Sequence, residues 1–176
     1  MVTPKLGLLQ RLSKCLPKPL LTIVYNTIIQ PHFDYCITLW GNCSKTNLSL
    51  IQRLQNRAAR IVSQNYDYNV SGLSIVTELK WMNVEDRLKY FTSILMYKIM
   101  NRDTTVTLHD MFQLVQNYHT YNTRGAESGL LVVPKCNIEC FKKSIAYQGA
   151  VIWNTMENIL KSSNNIQQFK ANYKRM

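Results

Sequence analysis

The sequence predicts a mainly α-helical protein, a multi-helix bundle with one small β element near residues 130–134. Apolar residues recur at three- and four-residue spacing through most of the chain, the period of a helix with one buried face. Prolines and small polar residues stand where such stretches begin, as helix starts require. One short run, Leu130-Leu131-Val132-Val133 between Gly129 and Pro134, has the texture of a strand. With 46% of its 176 residues hydrophobic, the chain has enough apolar side chains to build a core.

In chain order, a first helix is predicted over Leu6 to Leu16, with Leu8, Leu9, Leu12 and Leu16 on one side. Pro17 and Pro19 end it and open the next, because a first helical turn has no use for the N–H that proline lacks. The second helix carries a stripe of Leu20, Leu21, Val24, Tyr25 and Ile28. Pro31 disfavours helical backbone at Gln30 and marks a kink or an end. Ser44 then caps the clearest element, a helix from about Lys45 to Gln64 with an apolar stripe of Leu48, Ile51, Leu54, Ala58, Ile61 and Val62.

After a turn-rich loop at Tyr66 to Gly72, a short helix is expected over Leu73 to Leu79. Asn83 caps a second strong helix, with Glu85 and Asp86 favourably placed in its first turn. A short helix over Leu108 to Val115 follows. Beyond residue 117 the texture changes: a polar stretch to Gly129, the strand-like run, and a helical pattern through Phe141, Ile145, Gly149, Ile152 and Trp153. A last basic helix, capped by Ser163, contains Ile166, Phe169 and Tyr173. The change of texture divides the chain into a helical domain, 1–116, and a smaller α+β extension, 117–176, packed on the first.

The formal charge of +11 is unevenly distributed. Residues 1–66 carry +7, residues 67–160 carry 0, and residues 161–176 carry +4. Basic ends around a neutral middle suit a polyanion, the alternative being a solvated basic surface without a specific partner. The basic residues of the 45–64 helix are the sharpest feature. Arg53, Arg57 and Arg60 fall at i, i+4 and i+7, Lys45 precedes them, and no acid stands between Lys45 and Tyr66. A guanidinium presents a planar fork of donors that fits phosphate. Tyr121 and Arg124, in the polar stretch, add a stacking ring and a further phosphate contact to this candidate set; packing within a turn is the plainer reading of both.

Other chemistry is weakly marked. His32, Asp34 and Cys36 lie within five residues, but no nucleophile turn surrounds Cys36 and no second carboxylate stands near Asp34. Phe33, Tyr35, Ile37, Leu39 and Trp40 dominate this segment and ask for burial, so a structural corner is expected. The cysteines number five, and Cys136-x3-Cys140 supplies only half of a zinc ligand set, so free thiols, no metal and no cofactor are expected. No apolar run approaches the roughly 20 residues of a membrane span. Lys5, Arg11, Lys14 and Lys18 interrupt any signal-peptide core. An intracellular protein that makes no use of a membrane is expected, with nothing to separate nucleus from cytoplasm.

The stretch from Tyr25 to Cys36, YNTIIQPHFDYC, resembles a segment that follows the catalytic core in non-LTR retrotransposon reverse transcriptases of jockey-like and chicken-repeat-like types. The resemblance continues in Trp40-Gly41, in Leu54-Gln55-Asn56-Arg57-Ala58-Ala59-Arg60 and in Met96-Tyr97-Lys98-Ile99-Met100-Asn101. Tyr121-Asn122-Thr123-Arg124, Gly149-Ala150-Val151-Ile152-Trp153-Asn154 and Phe169-Lys170 complete it, in the family's order. One departure is that Thr155-Met156 follows Asn154 where the family often has Leu-Pro. The resemblance implies a thumb and post-thumb region, with 1–116 thumb-like and RNA or DNA as the partner of the basic helix face. The family's paired palm aspartates, which work with Mg²⁺, and its endonuclease have no counterpart here, so no catalysis is expected. The alternatives are a non-functional relic of a degraded element and a helical protein-interaction module; a small enzyme using Cys36 or Cys140 comes last.

Overall fold

Local sequence sets most helix starts. In the computed structural model, which describes residues 2–67, 69–118 and 129–175, the chain is mainly helical. It divides into two compact units, Met1–Leu88 and Lys89–Met176. The division falls inside a helix.

In the first unit, helix α1 (Thr3–Leu12) is followed by α2 (Lys18–Val24), with Pro19 in its first turn. Pro31 does not end this second helix. The chain widens into one π-helical turn, Tyr25–Ile29, in which the Gln30 N–H donates to Tyr25 O, and resumes as α3 (Gln30–Asp34). A proline cannot donate to the carbonyl four residues back and its ring crowds that carbonyl, and the wider turn relieves both. Cys36 then adopts left-handed backbone, φ 51°, ahead of the single turn α4 (Ile37–Trp40). Gly41 closes that turn because a Cβ there would lie 2.4 Å from Ile37 O and 2.6 Å from Leu88 Cδ1.

The long helix α5 (Lys45–Ser63) begins at Ser44, whose Oγ accepts from Asn47 N at 3.3 Å. It ends at Gln64 in left-handed conformation, φ 56°. Ala58, Ile61 and Val62 are buried with Leu6, Leu9, Leu21, Tyr25, Ile29 and Phe33, while Ile51 and Leu54 pack half-buried against them. Helix α6 (Gly72–Glu78) is capped by Ser71 and adds Ile75 and Val76 against Ala59. Helix α7 (Val84–Met100) starts with Asn83 Oδ1 accepting from Asp86 N at 2.8 Å, the cap expected from the sequence.

The second unit is built on the rest of α7, whose Met96, Tyr97 and Ile99 are buried with Phe112, Leu131, Ala150, Trp153, Leu160 and Phe169. Among the described residues its other helices are α8 (Val106–Asp110), α9 (Val115–Tyr118), α10 (Glu139–Lys142), α11 (Ile145–Thr155), α12 (Asn158–Lys161) and α13 (Ile166–Tyr173). Two short helices thus stand where one was expected over Leu108 to Val115. The pattern from Phe141 to Trp153 is broken at Ser144, which caps α11 by accepting from Tyr147 N. The cap of α13 is Asn165 rather than Ser163; Ser163 is buried and its carbonyl accepts from the Tyr97 hydroxyl.

No sheet forms among the described residues. The strand-like run contributes one isolated antiparallel bridge, Leu131 with Leu114. The Asn154 amide closes the pairing from the other side, accepting from Leu131 N at 2.8 Å and donating to Leu131 O at 2.9 Å. Trp153 Nε1 donates to Gly129 O at 3.2 Å. With both backbone groups of Leu131 served by a side chain, the run needs no neighbouring strand.

Candidate nucleic-acid interface

Helix α5 presents its basic residues in two different ways. Lys45, Arg53 and Arg57 are exposed and make no hydrogen bond or ion pair with another described residue. Arg60, half-buried one turn further on, donates to Asp67 O at 2.8 Å and to Val70 O at 2.6 Å. It ties down the loop between α5 and α6 and does not extend the exposed ridge. The sequence-predicted set is therefore brought together in part, with Lys45, Arg53 and Arg57 on the open side of one helix. Tyr121 and Arg124 lie outside the described residues.

The ridge borders an open groove of about 410 Å³ between α5, the start of α6 and the start of α7. Lys45 and Arg53 line it from α5, and Glu85 from α7. Its apolar lining is Leu48, Leu73 and Val84. Two amides in the lining, Gln52 and Asn83, have both ends bonded within the fold. Gln52 Nε2 donates to Asn56 Oδ1 at 2.8 Å, and Gln52 Oε1 accepts from Val84 N at 2.9 Å. Asn83 Nδ2 donates to Asp86 Oδ2 at 2.7 Å. The amides hold α7 against α5, while Gly72 lets α6 approach Asn56, since a Cβ there would stand 2.7 Å from Asn56 Cβ. The sequence alone does not reveal the groove, because its walls come from segments up to 40 positions apart.

The His–Asp–Cys stretch is a structural corner. The Asp34 carboxylate takes a two-point ion pair from Arg87, Nη2 to Oδ2 at 2.6 Å and Nε to Oδ1, and accepts from Gln30 Nε2 at 3.0 Å. His32 meets Lys5 of α1, and Trp40 Nε1 donates to Tyr35 O at 2.6 Å. Beneath lies Tyr25, buried and stacked on Trp81 with ring centroids 3.8 Å apart. Burial pushes the Tyr25 phenol up to about 12, partly offset by the nearby Gln55 amide. That amide already donates to Met82 O and accepts from Gln52, and the phenol oxygen has no hydrogen-bond partner within bonding distance. Not every aromatic of this segment is buried as expected. Phe33 and Ile37 are buried and Trp40 is half-buried, but Tyr35 and Leu39, on either side of the left-handed turn at Cys36, are 77% and 74% exposed.

The five cysteines carry no disulfide. Among the described residues no group of three or more His, Cys, Asp or Glu side chains converges as a metal site would require, and no helix is long and apolar enough to cross a membrane.

Comparison with known proteins places part of this chain beside a transposon enzyme. Over 70 residues it is 36% identical to the "Probable RNA-directed DNA polymerase from transposon BS" of Drosophila melanogaster. The match covers 40% of this chain and 8% of that protein. No protein-family profile matches the chain, and no solved structure matches it.

Proposed function

We propose that this chain is a non-catalytic nucleic-acid-binding region that engages the phosphate backbone, corresponding to the thumb and post-thumb part of a non-LTR retrotransposon reverse transcriptase. The observation that carries this reading is the exposed ridge of Lys45, Arg53 and Arg57, three cations without partners among the described residues on a helix without acids. Cations left solvated and unneutralised by the fold are available to a polyanion, and guanidinium donors suit phosphate oxygens. The local similarity to an RNA-directed DNA polymerase of a transposon supports the same reading.

Fluorescence anisotropy with labelled RNA–DNA hybrid and duplex DNA tests it. The wild-type chain binds both at low salt, and Lys45→Gln/Arg53→Gln/Arg57→Gln weakens binding by roughly tenfold or more, about the loss of one good charge-assisted contact. Absence of binding by the wild type contradicts the reading. A second reading, a helical protein-interaction module, is favoured by the exposed Tyr35 and Leu39 on adjoining turns; an apolar partner that protects these two residues from solvent would support it.

A further inference from the structure

We propose that the groove beside the ridge holds one unpaired nucleotide, its phosphate on Lys45 and Arg53 and its base against Leu48 and Leu73. The inference rests on the nucleic-acid reading above and names the form of nucleic acid that the site takes. Backbone contact with a duplex needs only the ridge: phosphates are convex and polar, and they gain nothing from an apolar hollow. Here the hollow exists, with Leu73 45% exposed at its edge and Leu48 half-buried, next to two cations that the fold leaves without partners. Apolar surface beside unpaired cations complements a ligand that is anionic at one end and flat and apolar at the other, which describes an unstacked nucleotide. In a duplex the base faces are covered by their neighbours, so the hollow would stay wet.

The size agrees. At about 410 Å³ the groove lies near the lower end of small-ligand sites, roughly 300–1,000 Å³, a size that suits a ligand as small as one nucleotide. The polar lining decides selectivity. The Gln52 and Asn83 amides are held by Asn56, Val84 and Asp86, so they fix the floor and read no base edge. Glu85, entering from α7, is an acceptor only. It repels a second phosphate and accepts from a base amine or a sugar hydroxyl, which orients the nucleotide with its phosphate toward α5.

The test uses a single-stranded ten-nucleotide RNA with one 2-aminopurine, and a blunt duplex of the same sequence, against wild type, Leu73→Ser and Leu73→Met. Leu73 is half exposed, so both variants keep the fold, as circular dichroism checks. Leu73→Ser should lower single-strand affinity about fivefold, roughly half the apolar contact of a fully buried leucine, and abolish the 2-aminopurine fluorescence change. Leu73→Met should restore both, and duplex affinity should be the same in all three proteins. Equal losses for strand and duplex, or no loss in Leu73→Ser, overturn the inference while wild-type binding leaves the nucleic-acid reading standing. Failure of the wild type to bind either probe overturns both.

Discussion

Two sets of polar side chains in the first unit invite comparison, the knot of Gln30, Asp34 and Arg87 and the ridge of Lys45, Arg53 and Arg57. Both look chemical in the sequence. In the knot every charge is answered inside the fold: Asp34 meets Arg87 at two points and Gln30 at a third. On the ridge the three cations are answered by no described residue. Charge type and spacing therefore do not show which charged residues the fold itself uses; the partners that the fold supplies do. Arg60 shows this within a single helix, since it continues the arginine spacing yet is tied to two loop carbonyls.

The comparison makes opposite predictions for the two sets, stability loss for the knot and binding loss for the ridge. The largest effect should come from Tyr25→Ala beneath the knot. Removing a fully buried ring stacked on Trp81 should cost about 3–5 kcal/mol, read by urea unfolding, a large share of the roughly 5–15 kcal/mol that keeps a domain folded. Asp34→Ala removes the carboxylate from the Arg87 guanidinium in a pair about one-fifth exposed at each side chain, at 22% and 23%. The cost should be roughly 2 kcal/mol, between the exposed and buried limits for ion pairs. A double-mutant cycle with Arg87→Ala should recover most of it as coupling.

Alkaline pH gives a finer contrast. The Tyr25 phenol is held up from 10.0 to about 12 by burial, so the folded state keeps its proton after the unfolded chain would lose it. A pKa raised in the folded state gives a contribution that is whole below pH 10 and is lost as pH rises through about 12. That amounts to roughly 2–3 kcal/mol in wild type. Tyr25→Phe should lack this decline between pH 10 and 12, and near neutral pH it should be neutral or slightly stabilising, since it removes a buried hydroxyl without a partner. A parallel decline in both proteins would place the alkaline sensitivity elsewhere. Arg60→Gln should lose about 1–2 kcal/mol with its loop contacts, whereas Arg53→Gln and Arg57→Gln should each stay within about 0.5 kcal/mol of wild type.

Much of the fold was legible because its signals are local. Ser44, Ser71 and Asn83 cap the helices they precede, and the stripe ending in Ala58, Ile61 and Val62 points into the core. Errors arose where a local preference met a long-range partner. The sequence pattern puts Leu8 on the buried side of α1, but Leu6 and Leu9 face the core and Leu8 is 41% exposed. The run at 130–133 has strand texture, yet the Asn154 side chain supplies the hydrogen bonds that a second strand would have given. For the candidate site, the absence of acids near the arginines was visible along the chain. The partners of Arg60 and the groove walls were not, because they depend on how α5, α6 and α7 come together.

The central claim, that the ridge answers phosphate and Arg60 does not, is tested most directly by the salt dependence of duplex DNA binding. Each phosphate neutralised contributes about −0.9 to the slope of log K against log salt. The account predicts that Lys45→Gln/Arg53→Gln/Arg57→Gln flattens the wild-type slope by roughly two to three units, and that Arg60→Gln leaves it unchanged although the protein is less stable. Equal slopes for wild type and the triple variant, or a flattening by Arg60→Gln as large as that of the triple variant, would contradict it.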